Sequence, residues 1–193
     1  MSNPIAWEAE NSMSERESLE TLYQRYRLPV QGFLYQLCGS FDQAEELTQE
    51  TFFRAHIGLA SFRGDCSTAT WLFTIARNAY LKSVRHPQAE AIEPDLLEAI
   101  PEQTGAVDPV RAYTAHEQRA MINQALTQLP EKQRTILILR DIEGLAYMEI
   151  AGVLNMSLAS VKVNLFRARH AFRLVYEALA APSGGSDGTT RHK

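Results

Sequence analysis

Between Ala159 and Arg173 the chain carries Lys162, Arg167, Arg169 and Arg173, with His170 beside them, and no Asp or Glu. A run of this kind attracts anions. Phosphate would be held by the cations, while Lys162 and Asn164 could hydrogen-bond base edges if a helix carried them into a major groove. A solvated basic helix on any globular domain would show the same charges, so the flanking pattern has to decide.

That pattern positions the basic run on a helix-turn-helix. Met148, Ile150, Ala151, Val153 and Leu154 read as one short helix, with Ile150 and Leu154 on a shared apolar face at i, i+4. Asn155-Met156-Ser157 interrupts it: Asn tolerates a left-handed helix end, and Ser157 can accept from the free N–H groups of a following helix. A second helix is therefore expected from Leu158. Its apolar positions Val161, Leu165, Ala168 and Phe172 bury it, leaving Ser160, Lys162, Val163, Asn164, Phe166, Arg167 and Arg169 on the other face. The small Ala151, the turn and the basic helix fall at the spacing such a motif needs.

Two further constellations lie upstream. In DQAEELTQETFFRAH a helix with Asp42 and Glu45 as its cap is expected to run to His56. Its inward stripe is Ala44, Leu47, Thr51 and Ala55 with Phe52, so Glu46, Gln49, Glu50 and Phe53 share the opposite face. A Phe framed by acids and an amide suits protein docking; it could equally be covered by a neighbouring helix. In FRGDCSTATWLFTIARNAYLKSVR, Phe62-Arg63-Gly64-Asp65 reads as a loop and Ser67 or Thr68 as the cap of a helix from Ala69 to Arg85. Leu72, Ile75, Ala76 and Ala79 point inward, while Trp71, Thr74, Asn78, Lys82 and Arg85 point elsewhere. Aromatic, amide and basic groups beside an open loop suit unpaired bases, which offer a stacking face and a hydrogen-bonding edge. The plainer reading makes Trp71 a core residue and the cations ordinary surface charge.

The chain has 193 residues, 45% of them hydrophobic, which suffices for one or two cores. The amino terminus lacks a basic-then-apolar signal, and no apolar run reaches the roughly 18 to 20 residues that span a bilayer. A cytoplasmic protein without direct membrane insertion is expected. Cys38 and Cys66 read as reduced thiols in no metal-ligand spacing. The five histidines are scattered, and neither a Gly-rich phosphate loop nor a Ser or Cys nucleophile motif occurs, so no catalytic residues, no metal site and no cofactor are expected. A net charge of −4 is unusual for a protein holding DNA alone, but the acids are unevenly placed.

The runs AEELTQETFFRAH, FRGDCSTATWLFTIARN and LPEKQRTILILRDIEGLAYMEIAGVLNMSLASVKVNLFRARHAFR resemble the two domains of bacterial extracytoplasmic-function (ECF) RNA polymerase sigma factors, of the sigma-70 family. The resemblance covers Leu19 to Arg85 and Glu117 to Ala180, with two motif sets in the family's order. It implies a non-enzymatic subunit that binds core RNA polymerase, at the β′ clamp and β flap, and directs it to promoter DNA. Glu46, Gln49, Glu50 and Phe53 match the family's anchor on the β′ coiled coil. Phe62, Arg63, Gly64, Asp65, Trp71, Asn78, Lys82 and Arg85 fall in the region that opens the minus-ten element and captures a flipped base. Ser157, Ser160, Lys162, Val163, Asn164, Phe166 and Arg167 fall in the region that reads the minus-thirty-five duplex. The family often has a small polar residue and then Arg where this chain has Val163-Asn164. An anti-sigma protein is a further implied partner.

The expected fold is all-α: two helical domains joined by a flexible acidic linker, the second a helix-turn-helix, winged-helix-like but without strands. Residues 1–14 read as a mobile arm, 15–86 as the first domain, 87–110 as the linker, 111–181 as the second domain and 182–193 as a disordered tail. From Pro87 to Pro109 there are six acids, four prolines and no Lys or Arg. At ~3.3 Å per residue those roughly 23 residues reach about 75 Å, or some two turns of duplex. Two rival readings stay open: a regulator that binds operator duplex unaided, and an interaction protein whose first domain only sequesters a partner.

Overall fold

The computed structural model describes residues 18–85 and 109–181, and every regular element among them is helical. The expected arm, nearly all of the acidic linker and the tail lie outside the described residues.

The first module has three helices. α1 (Leu19–Cys38) starts at Ser18, whose Oγ accepts from the Thr21 N–H, and ends at Gly39 with φ 77°. It buries Leu22, Val30, Phe33, Leu34 and Leu37, while Tyr23 is partly exposed and lies edge-on to Phe52. Pro29 sits inside this one helix. α2 (Phe41–Leu59) is capped by Ser40, which accepts from the Gln43 N–H, so the cap falls at Ser40 rather than on Asp42. The helix runs three residues past His56 and buries the expected stripe of Ala44, Leu47, Thr51, Phe52 and Ala55. α3 (Thr68–Arg85) is capped by Ser67.

The second module has α4 (Pro109–Thr127), which takes in the last two residues assigned to the linker, and α5 (Glu131–Leu137). A π-helical turn, Ile138–Ile142, follows α5 and was not anticipated. Ile136, Leu137, Ile138 and Leu139 are all buried, so this stretch is surrounded on every side and has no single apolar stripe to read. Gly144, at φ 74°, then reverses the chain. α6 (Tyr147–Leu154) ends at Asn155, which is left-handed with φ 48°, and α7 (Leu158–Ala180) is capped by Ser157. Both ends of that turn fall where the sequence places them.

The modules touch. α1 meets α4, α5 and the π turn, α3 meets α6, and buried side chains of both modules form one continuous apolar cluster. Polar ties also span the junction, among them Arg77 with Glu131, Arg134 with the Leu37 carbonyl, and Ser67 and Thr70 with Glu149.

Candidate nucleic-acid interface

On α7, burial of Val161, Leu165 and Ala168 turns Lys162, Val163, Phe166 and Arg167 outward, with Phe166 76% exposed. The remaining candidates are engaged within the helix. The Ser157 Oγ accepts from the Ser160 N–H at 3.2 Å, and the two hydroxyls lie 2.9 Å apart. The Asn164 amide donates to the Ser160 carbonyl at 2.8 Å. The exposed candidates outside these bonds are Lys162, Val163, Phe166 and Arg167. Arg169 departs from the expected basic face: it makes a two-pronged bond to Asp141, a partner that lies outside the acid-free run and is brought in by the π turn. A bidentate pair of this kind neutralises the cation locally.

The second surface begins at the loop between α2 and α3. Gly64, with φ 74°, supplies a backbone conformation that side-chain-bearing residues disfavour. Phe62 stacks on Trp71 at 4.7 Å between ring centroids and 27° between planes. Together with Arg63, Asp65, Cys66, Ser61 and Gly58 they line an open cleft of about 400 Å³. Gly58 packs closely on this wall: a Cβ there would stand 3.1 Å from the Trp71 ring, which would have to give by a few tenths of an ångström. Trp71 is half-buried: it packs against the apolar core and also walls the cleft. Asn78, Lys82 and Arg85 are exposed and continue its stripe along α3. From Trp71 to Arg85 that stripe is about 21 Å long at 1.5 Å per residue. Gly58, Ser61 and Cys66 were absent from the candidates; their neighbourhood to Phe62 in sequence was the available signal.

On α2, Glu46, Gln49 and Phe53 are exposed and Glu50 is half-buried, its carboxylate accepting from Arg54 Nε at 2.7 Å. Phe53 is 61% exposed, so no neighbouring helix covers it. Ile57, one turn further on, is 65% exposed and extends the same face. Its i+4 spacing from Phe53 could have identified it. A separate groove of about 600 Å³ opens between α4, the π turn and α7, with Ile122, Leu126, Leu137, Ile142, Phe172 and Tyr176 on its walls. Among the described residues there is no cluster of His, Cys, Asp and Glu fit to hold a metal ion, and no helix is long and apolar enough to cross a membrane.

Fold and surfaces together define an all-helical, two-module protein with a helix-turn-helix at its carboxyl-terminal side and an aromatic cleft in its amino-terminal half. Residues 22–89 match the family model for sigma-70 region 2, and residues 119–171 match that for sigma-70 region 4. The chain is 35% identical over 161 residues to the RNA polymerase sigma factor YlaC of Bacillus subtilis, covering 81% of this chain and 91% of that protein. It is 32% identical over 160 residues to the ECF RNA polymerase sigma factor SigM of the same species, covering 82% of this chain and 95% of the relative. The chain belongs to the ECF RNA polymerase sigma factors. Among solved structures, the sigma factor RpoE in complex with the anti-sigma factor NepR from Bartonella quintana has the same fold, with a TM-score of 0.65 at 23% identity, covering 82% of this chain and 96% of that one. CnrH in complex with the cytosolic domain of CnrY gives 0.64 at 20% identity, with coverage of 86% and 91%.

Proposed function

We propose that this chain is the promoter-recognition subunit of RNA polymerase, acting through three surfaces. The observation that carries the reading is the separation of those surfaces on one chain: the α2 face, the Phe62–Trp71 cleft and the α7 face. The first, with Glu46, Gln49, Glu50, Phe53 and Ile57, docks on the β′ clamp of core polymerase. The apolar groove between α4 and α7 suits the β flap. The cleft and the stripe through Asn78, Lys82 and Arg85 take the minus-ten strand, whose bases are opened and held by stacking. Lys162, Val163, Phe166 and Arg167 read the minus-thirty-five duplex.

Such a protein performs no chemical step and needs no cofactor. Extruding a base costs a few kcal/mol, which capture in the cleft offsets. The setting that follows from a polymerase partner is cytoplasmic, and family membership implies an anti-sigma protein as a further partner. The two DNA elements lie about two turns of duplex apart, roughly 70 Å, so the α3–α6 contact must open on a promoter.

A footprint tests this. Core polymerase plus the chain should protect two separated promoter segments, whereas the chain alone should protect neither. Strong protection of a single duplex site by the chain alone would instead establish an operator-binding regulator.

A further inference from the structure

Val163 stands at the centre of the α7 face that the fold leaves open. The helix starts at Leu158 and buries Val161, Leu165 and Ala168, with Phe172 half-buried in line with them. At about 100° per residue, Val163 points about 170° away from the mean direction of those four. It is 49% exposed and lies in the second turn, within the part of a recognition helix that meets base edges. Phe166 and Arg167 flank it one turn on, and the exposed Ala159 lies one turn before it. Two polar neighbours are engaged within the helix: the Asn164 amide donates to the Ser160 carbonyl at 2.8 Å, and the Ser160 hydroxyl lies 2.9 Å from that of Ser157. The middle of the face is therefore apolar.

An isopropyl group neither donates nor accepts a hydrogen bond. Pressed against guanine O6 and N7, cytosine N4 or adenine N6, it would strip water from a polar edge and return nothing, which is costly. Thymine alone among the four bases presents a C5-methyl group in the major groove, and apolar contact with that group is favourable. We propose that Val163 is a specificity-determining residue of the minus-thirty-five contact, selecting thymine at the base pair beneath it through the C5-methyl group. The inference rests on the assignment of α7 to that duplex. It concerns a position at which this chain departs from its family's usual residue, so family membership does not say what Val163 reads.

The test uses holoenzyme, core polymerase with the full chain, and a duplex promoter library in which the upstream element is randomised. Bound sequences should carry thymine at one fixed position of that element. Replacing this thymine by uracil removes the methyl group and keeps the pairing and the rest of the base edge. The parent chain should bind the uracil duplex about fivefold more weakly, whereas Val163→Ala should bind the two duplexes within about 1.5-fold. Alanine favours an exposed helix position, so that variant keeps the fold. Selection with Val163→Ser should lose the thymine preference at that position alone. A selected element without thymine, a parent chain indifferent to uracil at every thymine, or a Val163→Ala or Val163→Ser chain that keeps the parent's preference would overturn the inference while leaving the α7 assignment intact. Absence of any enriched upstream element, from a chain that still joins core polymerase, would overturn that assignment and the inference with it.

Discussion

Arg134, in the second module, donates its guanidinium to the main-chain carbonyl of Leu37 at the carboxyl end of α1 in the first. The same side chain donates to the carbonyls of Thr127 at 2.9 Å and Leu129 at 3.1 Å. One cation therefore closes the ends of two helices and joins the modules.

Replacement of Arg134 should be costly for that reason. Charge-assisted bonds contribute about 1.5–3 kcal/mol each, and partly buried carbonyls left without donors add to the loss. Arg134→Ala is expected to lower unfolding free energy by about 2–4 kcal/mol in urea titrations. Arg134→Lys should recover less than half of it, because an ammonium cannot span three carbonyls.

Stability should also respond to Glu143. Burial pushes its carboxyl up from 4.5 to about 7. A folded-state value above the unfolded one means that its stabilising proton is fully in place below about pH 4.5 and lost as pH rises through about 7. Glu143→Gln should match the parent chain at pH 4 and exceed it at pH 8, by on the order of 2 kcal/mol after allowance for solvent screening. Chemical denaturation at the two pH values reads this directly, and a constant difference between the variants would contradict it.

On α2 the apolar pair should dominate. Phe53→Ala and Ile57→Ala are each expected to weaken core polymerase binding by about 2 kcal/mol, roughly 30-fold, with helicity unchanged. Glu50→Ala should cost less, because Glu50 already shares its charge with Arg54 in a partly exposed pair. Surface plasmon resonance against immobilised core enzyme distinguishes these.

On α7, Arg167→Ala should cost about 1–3 kcal/mol of minus-thirty-five discrimination, and Lys162→Ala should weaken all sequences and flatten the salt dependence by about one phosphate contact. Asn164→Ala should stay within about twofold of the parent, since its amide is tied to the Ser160 carbonyl. Holoenzyme binding to fully duplex promoter variants checks all three.

Local chemistry explains which parts were legible in advance. Asn155 and Ser157 announce the turn between α6 and α7 because a left-handed helix end and a hydroxyl cap are properties of single residues. The buried stripe of α2 is legible because four positions repeat at helical spacing. The cap at Ser40 was masked by Asp42 and Glu45, which form an equally good pattern two residues on. The π turn carries no glycine or proline to mark it, and its buried Ile138 and Leu139 continue the apolar run of α5 without a break. Arg169 with Asp141, Arg77 with Glu131 and Ser67 with Glu149 join residues 28, 54 and 82 positions apart, and no local pattern encodes such pairs.

The measurement that tests the central claim most directly is run-off transcription by core polymerase from a genomic promoter library, with and without this chain. Specific transcripts should appear only with it, fall at least tenfold with Asn78→Ala or Arg167→Ala, and vanish with both. Transcripts that ignore both substitutions, or none at all from a chain that binds core polymerase, would contradict the assignment of these surfaces to promoter recognition.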